Sequence, residues 1–165
     1  MDAFVTGRNT ETVCAPGSGV ICAQARGRGG CVIAFDDPEN GDVVSPLGGV
    51  ITHVGRTGVV SIRSESGTEV SVGIGVRRHG RIAEQEGCHL YVREGDTVRV
   101  GQRLMHAELG RIRRLGGATE CVMTLDGAGG VWHPAAENDG MTVRAGVTPV
   151  LRVERGGAGE LPKKT

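Results

Sequence analysis

Lysine is almost missing from this chain of 165 residues: of 19 basic side chains, only Lys163 and Lys164 are lysines. Residues 1–162 therefore offer no amine for a Schiff base, for lipoyl or biotinyl attachment, or for a Walker-type phosphate loop. Aromatic residues are scarce too, limited to Phe4, Phe35, Tyr91 and Trp132, so the core has to be built from Val, Ile, Leu and Ala. Net charge is absent, with 19 basic against 19 acidic side chains, and no global field draws the protein to nucleic acid or an anionic membrane. No apolar run approaches the length that spans a bilayer, which argues against membrane insertion. Residues 1–12, MDAFVTGRNTET, lack the basic and apolar regions of a secretory signal. The expectation is a cytoplasmic protein.

Metal and redox motifs are lacking as well. The five cysteines, Cys14, Cys22, Cys31, Cys88 and Cys121, are odd in number and form no C-x-x-C pair. Free, mostly buried thiols are expected. There is no H-x-H pair, so a zinc endopeptidase of the lysostaphin type is excluded, and no metal or other cofactor is expected. Residues 36–42, DDPENGD, resemble a calcium loop in composition only; without its ligand spacing and terminal Glu they read as a polar turn.

What the chain has in quantity is glycine, 29 residues of it. Short runs of Val, Ile and Thr lie between clusters of Gly, Pro, Asn and Asp, the pattern of an all-β sandwich or barrel. Strands are expected over residues 12–14, 19–23, 31–35, 42–44, 50–54, 59–63, 68–74, 90–92, 103–107, 118–124, 131–133, 142–144 and 150–153, with a short helix over 108–115. Residues 1–11 and 155–165 read as flexible ends around a single β domain, 12–154.

Two motifs punctuate the strands. Ala15-Pro16-Gly17-Ser18-Gly19-Val20-Ile21 is echoed by Ser45-Pro46-Leu47-Gly48-Gly49-Val50-Ile51, which suggests a duplicated β-unit. The run Glu94-Gly95-Asp96-Thr97-Val98-Arg99-Val100-Gly101-Gln102 has the form of a barrel-sandwich corner, with Val98 and Val100 expected in the core.

Taken in order, A-P-x-S-G at 15–19, S-P-x-x-G-x-I at 45–51, S-I-x-S-x-S-G-x-E-V-x-V-x-x-G at 61–75, E-G-D-x-V-x-x-G-Q at 94–102 and T-V-x-x-G-V-T-P-V-L-R-V at 142–153 resemble the glucose-type enzyme IIA domain of the bacterial phosphoenolpyruvate-dependent sugar phosphotransferase system. The resemblance implies a β-sandwich of the duplicated hybrid (barrel-sandwich) type seen in glucose permease IIA. It also implies a shallow face carrying two histidines. In the family, one of them takes phosphate from the carrier HPr and passes it to the permease's IIB domain, and the other supports it. The family's acceptor lies in V-H-x-G; here the run is Val72-Gly73-Ile74-Gly75. The supporting histidine lies in T-N-H; here the run is Arg56-Thr57-Gly58-Val59, one residue shorter, and Gly58 or a gap takes its place. Glycine carries no phosphate, so phosphohistidine transfer at this face is not expected.

Other side chains are candidates for a reused face. Arg56, Arg77, Arg78 and His79 are the candidate anion-binding group, suited to a phosphate, a carboxylate or an acidic partner surface; solvated loop positions are the alternative. His53 is expected on the strand face of Ile51, half solvated. His89 adjoins Cys88, but neighbours on a strand point to opposite faces. His106 and His133 have no partner at ligand spacing. Three functions remain open: a degenerate binding or regulatory member of the family without catalysis, a repurposed enzyme acting on a small anionic substrate, and a sugar phosphocarrier with an unrecognised acceptor.

Overall fold

The computed structural model describes residues 9–27, 30–55, 58–75, 87–126, 131–135 and 140–155. Their fold is all-β, as expected, with antiparallel strand pairs throughout and one short helix. The principal sheet has eight strands in the order β13 (Thr142–Val143), β2 (Gly19–Gly27), β3 (Gly30–Phe35), β11 (Cys121–Asp126), β7 (Glu69–Ile74), β6 (Val60–Arg63), β5 (Gly49–Val54) and β9 (Thr97–Val98). A three-stranded sheet orders β1 (Asn9–Cys14), β14 (Pro149–Arg155) and β12 (Val131–Pro134). Another orders β4 (Asp42–Val44), β10 (Arg103–Ala107) and β8 (Cys88–Leu90). β1 begins at Asn9, earlier than the sequence pattern indicates, because residues 9–13 pair with β14.

Alternation builds the core. Val70, Val72 and Ile74 of β7 lie opposite Leu125, Met123 and Cys121 of β11, which in turn lie opposite Cys31, Ile33 and Phe35 of β3. All of these are buried in one cluster. Each large apolar side chain removed from water here stabilises the fold by about 1.5–3 kcal/mol. Helix α1 (Leu109–Arg114) is too short to hold itself and is pinned by Ile112, which is fully buried.

The repeated turns occupy matched places. Cys14 N–H donates to the Pro46 carbonyl at 2.8 Å, and Val44 N–H donates to the Pro16 carbonyl at 2.7 Å, so each turn receives the strand that leads into the other. Ala15 likewise exchanges backbone bonds with Gly146 and Thr148, as Ser45 does with Gly101 and Gln102.

Three details depart from the pattern. Val98 is buried, but Val100 is 47% exposed; it follows β9 in a turn, where strand alternation no longer governs direction. A register shift between Ile51 and His53 breaks the alternation of β5. Ile51 consequently stays in the core while His53 turns to solvent. β8 starts at Cys88 rather than at Leu90, set by its pairing with β10.

Candidate functional site

The hairpin β6–β7 is closed by a turn in which Ser64 N–H donates to the Thr68 carbonyl at 2.8 Å and Thr68 N–H donates to Ser64 Oγ at 3.1 Å. Gly67, at φ +98, makes the left-handed bend. With Val70, Val72 and Ile74 directed to the core, Glu69, Ser71 and Gly73 occupy the other face. Ser61 and Ser71 face each other there, Oγ to Oγ 2.8 Å. Thr52 Oγ1 donates to Glu69 at 3.1 Å, and Arg63 lies 3.4 Å from the same carboxylate. This is a row of paired hydroxyls and one neutralised carboxylate; His53, the register partner of Ser61 across β5–β6, is turned to solvent beside Glu94.

Gly73 lies opposite Val122 of β11, which lies opposite Ala34 of β3. Residues paired across a sheet share a face. Val122 and Ala34 are 3% and 2% exposed, and Gly73 is buried with them. The row is therefore apolar, made of small side chains and closed to solvent.

Gly58 lies in the connection between β5 and β6, two residues before Val60, which pairs with Val72. The two glycines thus mark the same end of the β6–β7 ribbon. Gly55 N–H donates to the Val59 carbonyl at 2.7 Å and Gly58 N–H to the Gly55 carbonyl at 3.1 Å, which holds Gly58 at φ +88. Among the described residues, the side chain nearest to a Cβ built there is Cys88, whose thiol is half-buried. Burial, and secondarily the charge of Glu108, push the Cys88 thiol above its usual range. It is held as the neutral thiol, which is a poor nucleophile. Arg56, Arg77, Arg78 and His79 all lie outside the described residues. A hollow of ≈ 600 Å³ lined by Gly48, Gly49, Val50, Arg63 and Thr97 opens at the far end of the β5–β6 ribbon.

The structure brings together histidines that sequence spacing kept apart. His106 of β10 lies opposite His89 of β8 and opposite Asp42 of β4. His106 Nδ1 is 3.0 Å from Asp42 Oδ1. His89 Nε2 is 2.5 Å from Glu108 Oε2, and that hydrogen bond is the main reason the Glu108 carboxyl is held below the usual carboxylate range. The sequence offers His106 no partner at ligand spacing, and the fold supplies neighbours that spacing does not show. Its partners come from other strands, 64 residues away in the case of Asp42, and local spacing carries no trace of them. His89 and Cys88 do point to opposite faces, Cys88 toward the core and His89 outward. His53 and His133 are exposed, each 3.6–3.7 Å from a single glutamate. Among the described residues, no group of three or more His, Cys, Asp or Glu side chains is arranged to hold a metal ion, and no helix is long and apolar enough to cross a membrane.

Comparison with known proteins fits this geometry. Over 161 residues the chain is 29% identical to the PTS system glucose-specific EIIA component of Bacillus anthracis, covering 88% of this chain and 91% of that one. It is 31% identical over 119 residues to the glucose-specific EIICBA component of Streptococcus pneumoniae, matching 72% of this chain and 16% of that larger protein. The glucose permease IIA of Mycoplasma capricolum shares the fold, with a TM-score of 0.70 over 92% of this chain and 99% of that one at 20% identity. Residues 17–128 match the family model of the phosphoenolpyruvate-dependent sugar phosphotransferase system, EIIA 1. The chain, a β-sandwich of the glucose permease IIA type, belongs to that EIIA family.

Proposed function

We propose that this chain is a degenerate EIIA protein: it keeps the family's fold, does not relay phosphate to sugar through the family's face, and acts by binding protein partners of the sugar phosphotransferase system. The observation that carries this reading is the pair of glycines. Gly58 and Gly73 stand where the motifs T-N-H and V-H-x-G place the family's supporting and acceptor histidines. Phosphohistidine transfer needs an imidazole nitrogen as nucleophile, and neither position has a side chain. The surroundings support the reading. The row of Gly73, Val122 and Ala34 is buried, and the thiol beside Gly58 is raised toward its neutral form by burial.

A reconstituted relay tests it. Phosphoenolpyruvate, enzyme I, HPr and a glucose permease are combined with this chain as the sole IIA component. The expected result is no sugar phosphate above the level seen without the chain. Added to a relay that contains an active IIA domain, the chain is expected to compete for HPr or the permease and slow it. Sugar phosphate formed with this chain alone would overturn the reading, and so would a relay that excess chain leaves unaffected.

A further inference from the structure

The sheet β4–β10–β8 carries a row of side chains that the reading above does not use. Its inner face is apolar: Val43, Met105 and Ala107 are buried, and Leu90 and Cys88 pair with the last two. Its outer face runs Asp42, His106, His89 across the strands. Glu108, just past the end of β10, returns to His89. The two imidazoles stack with centroids 6.3 Å apart and planes 20° from parallel. Each carboxylate has an arginine beside it, Arg103 at 3.7 Å from Asp42 and Arg111 at 3.9 Å from Glu108. The order is cation, carboxylate, imidazole, imidazole, carboxylate, cation.

A neutral imidazole that donates one N–H to a carboxylate presents a lone pair on its other nitrogen. In His106 the committed nitrogen is Nδ1, so the lone pair is on Nε2, the nitrogen farthest from the backbone. In His89 the committed nitrogen is Nε2, which leaves Nδ1, crowded by its own main chain. No described residue bonds His106 Nε2, and 36% of that side chain is open to solvent. A nucleophile oriented by a carboxylate, with a half-exposed guanidinium on the same carboxylate, has the parts that phosphoryl transfer uses.

We propose that His106 is a phosphoryl-acceptor site, on a sheet distinct from the one that carries Gly73. Its donor is a compound with a P–N bond, either an N-phosphoryl imidazole on a carrier protein or a small phosphoramidate. The His106 Nε2 lone pair attacks phosphorus, and the Nε2–P bond forms as the donor's P–N bond breaks. The donor reacts in its protonated form, as the phosphoimidazolium or the phosphoramidate zwitterion, so the electron pair leaves with the donor nitrogen as neutral imidazole or as ammonia. The Nδ1 proton stays on the His106 ring, and Asp42 offsets the positive charge the ring gains. Arg103, held beside Asp42 at 3.7 Å and over the Tyr91 ring at 5.1 Å, adds positive charge at the edge of the site. His89, fixed by Glu108, walls the ring on its other face.

The test incubates the whole chain with potassium phosphoramidate at neutral pH, maps the phosphate by mass spectrometry and assigns the linkage by ³¹P NMR. The expected product carries one acid-labile phosphate, on Nε2 of His106. Asp42→Asn keeps an acceptor for Nδ1–H but loses the charge, and labels about tenfold more slowly or worse. Asp42→Ala frees Nδ1, and a second, Nδ1-linked resonance appears, which loss of a merely structural carboxylate does not produce. Amide NMR spectra show whether each variant is native. Phosphate spread evenly over the five histidines, or Asp42→Asn labelling as fast as the parent, overturns the proposal. The relay assay separates it from the reading above: His106 labelled without sugar phosphate upholds both, whereas His106 labelled with sugar phosphate upholds this one and sinks the other.

Discussion

Gly58 and Cys88 sit in ordinary van der Waals reach of each other: a Cβ built on Gly58 lies 3.9 Å from the Cys88 Sγ. Space therefore does not bar a Cβ at position 58. The backbone does, because Gly58 sits at φ +88, where L-residues are strained. Gly58→Ala is expected to lower stability by about 1–3 kcal/mol from backbone strain, and Gly58→His by more, because position 58 is buried and an imidazole adds overpacking. Urea unfolding measures it as a lower midpoint at unchanged m. Two variants as stable as the parent would show that this connection relaxes freely.

Gly41 is held against the end of β10 by close backbone approach. It sits at φ +75, and a Cβ there runs into the backbone carbonyl of Ala107. The contact locks the entry to β4 against the end of β10, one residue before Asp42. Gly41→Ala is expected to cost about 2–5 kcal/mol, combining left-handed strain with overpacking. Its amide shift changes are expected to concentrate in β4, β10 and the Asp42–His106 pair. Changes centred on the β6–β7 hairpin instead would contradict the placement.

Much of this fold was legible because apolar alternation and turn chemistry are local. Val70, Val72 and Ile74 announced their face, and the two Pro-x-x-Gly turns announced their strands. Val100 and His53 were misjudged for one physical reason. A turn and a register shift each reset the alternation, and neither leaves a mark in residue type. At Gly73 the resemblance rests on a local frame, V-x-x-G, in which one member differs, whereas Arg56-Thr57-Gly58 keeps no member of T-N-H in place. The Asp42–His106–His89 row was not legible. Cross-strand register is decided by the whole sheet, and the side chains it brings together are up to 64 residues apart.

Cys121 gives the protein an alkaline weakness. Complete burial pushes its thiol from 9.0 up to about 12. A thiol raised in the folded state contributes stability that is fully present below the unfolded value and is lost as pH rises through the folded one. The window is therefore pH 9 to about 12, where the unfolded chain releases a proton that the folded chain keeps. One such proton corresponds to about 1.4 kcal/mol per pH unit. Cys14 and Cys88 are shifted in the same direction by burial and add to the slope. Denaturation at pH 8 and pH 10 is expected to show the loss, and Cys121→Val is expected to remove one proton's share of it. In native protein at pH 8, exposed Cys22 should react with a thiol reagent well before Cys121. An equal slope in Cys121→Val would assign the weakness elsewhere.

The His89–Glu108 bond makes the opposite prediction at acid pH. The hydrogen bond from His89 is the largest influence holding the Glu108 carboxyl below 4.5. Burial opposes it as the second-largest influence, and the charges of His89, Arg111 and His106 each add a smaller lowering. A carboxyl lowered in the folded state contributes stability that is present above its unfolded value and lost as pH falls through the folded one. The effect is thus confined to pH below about 4.5. In His89→Ala the Glu108 midpoint is expected to rise toward the ordinary value, read by carboxyl ¹³C NMR titration. The same variant should lose the acid limb that Glu108 contributes to unfolding. It should also slow phosphate incorporation at His106 less than Asp42→Asn does, because Glu108 and His89 position the wall of that site while Asp42 touches the reacting ring. A Glu108 midpoint that stays in place without His89 would mean that the charges of Arg111 and His106, and not the hydrogen bond, set it.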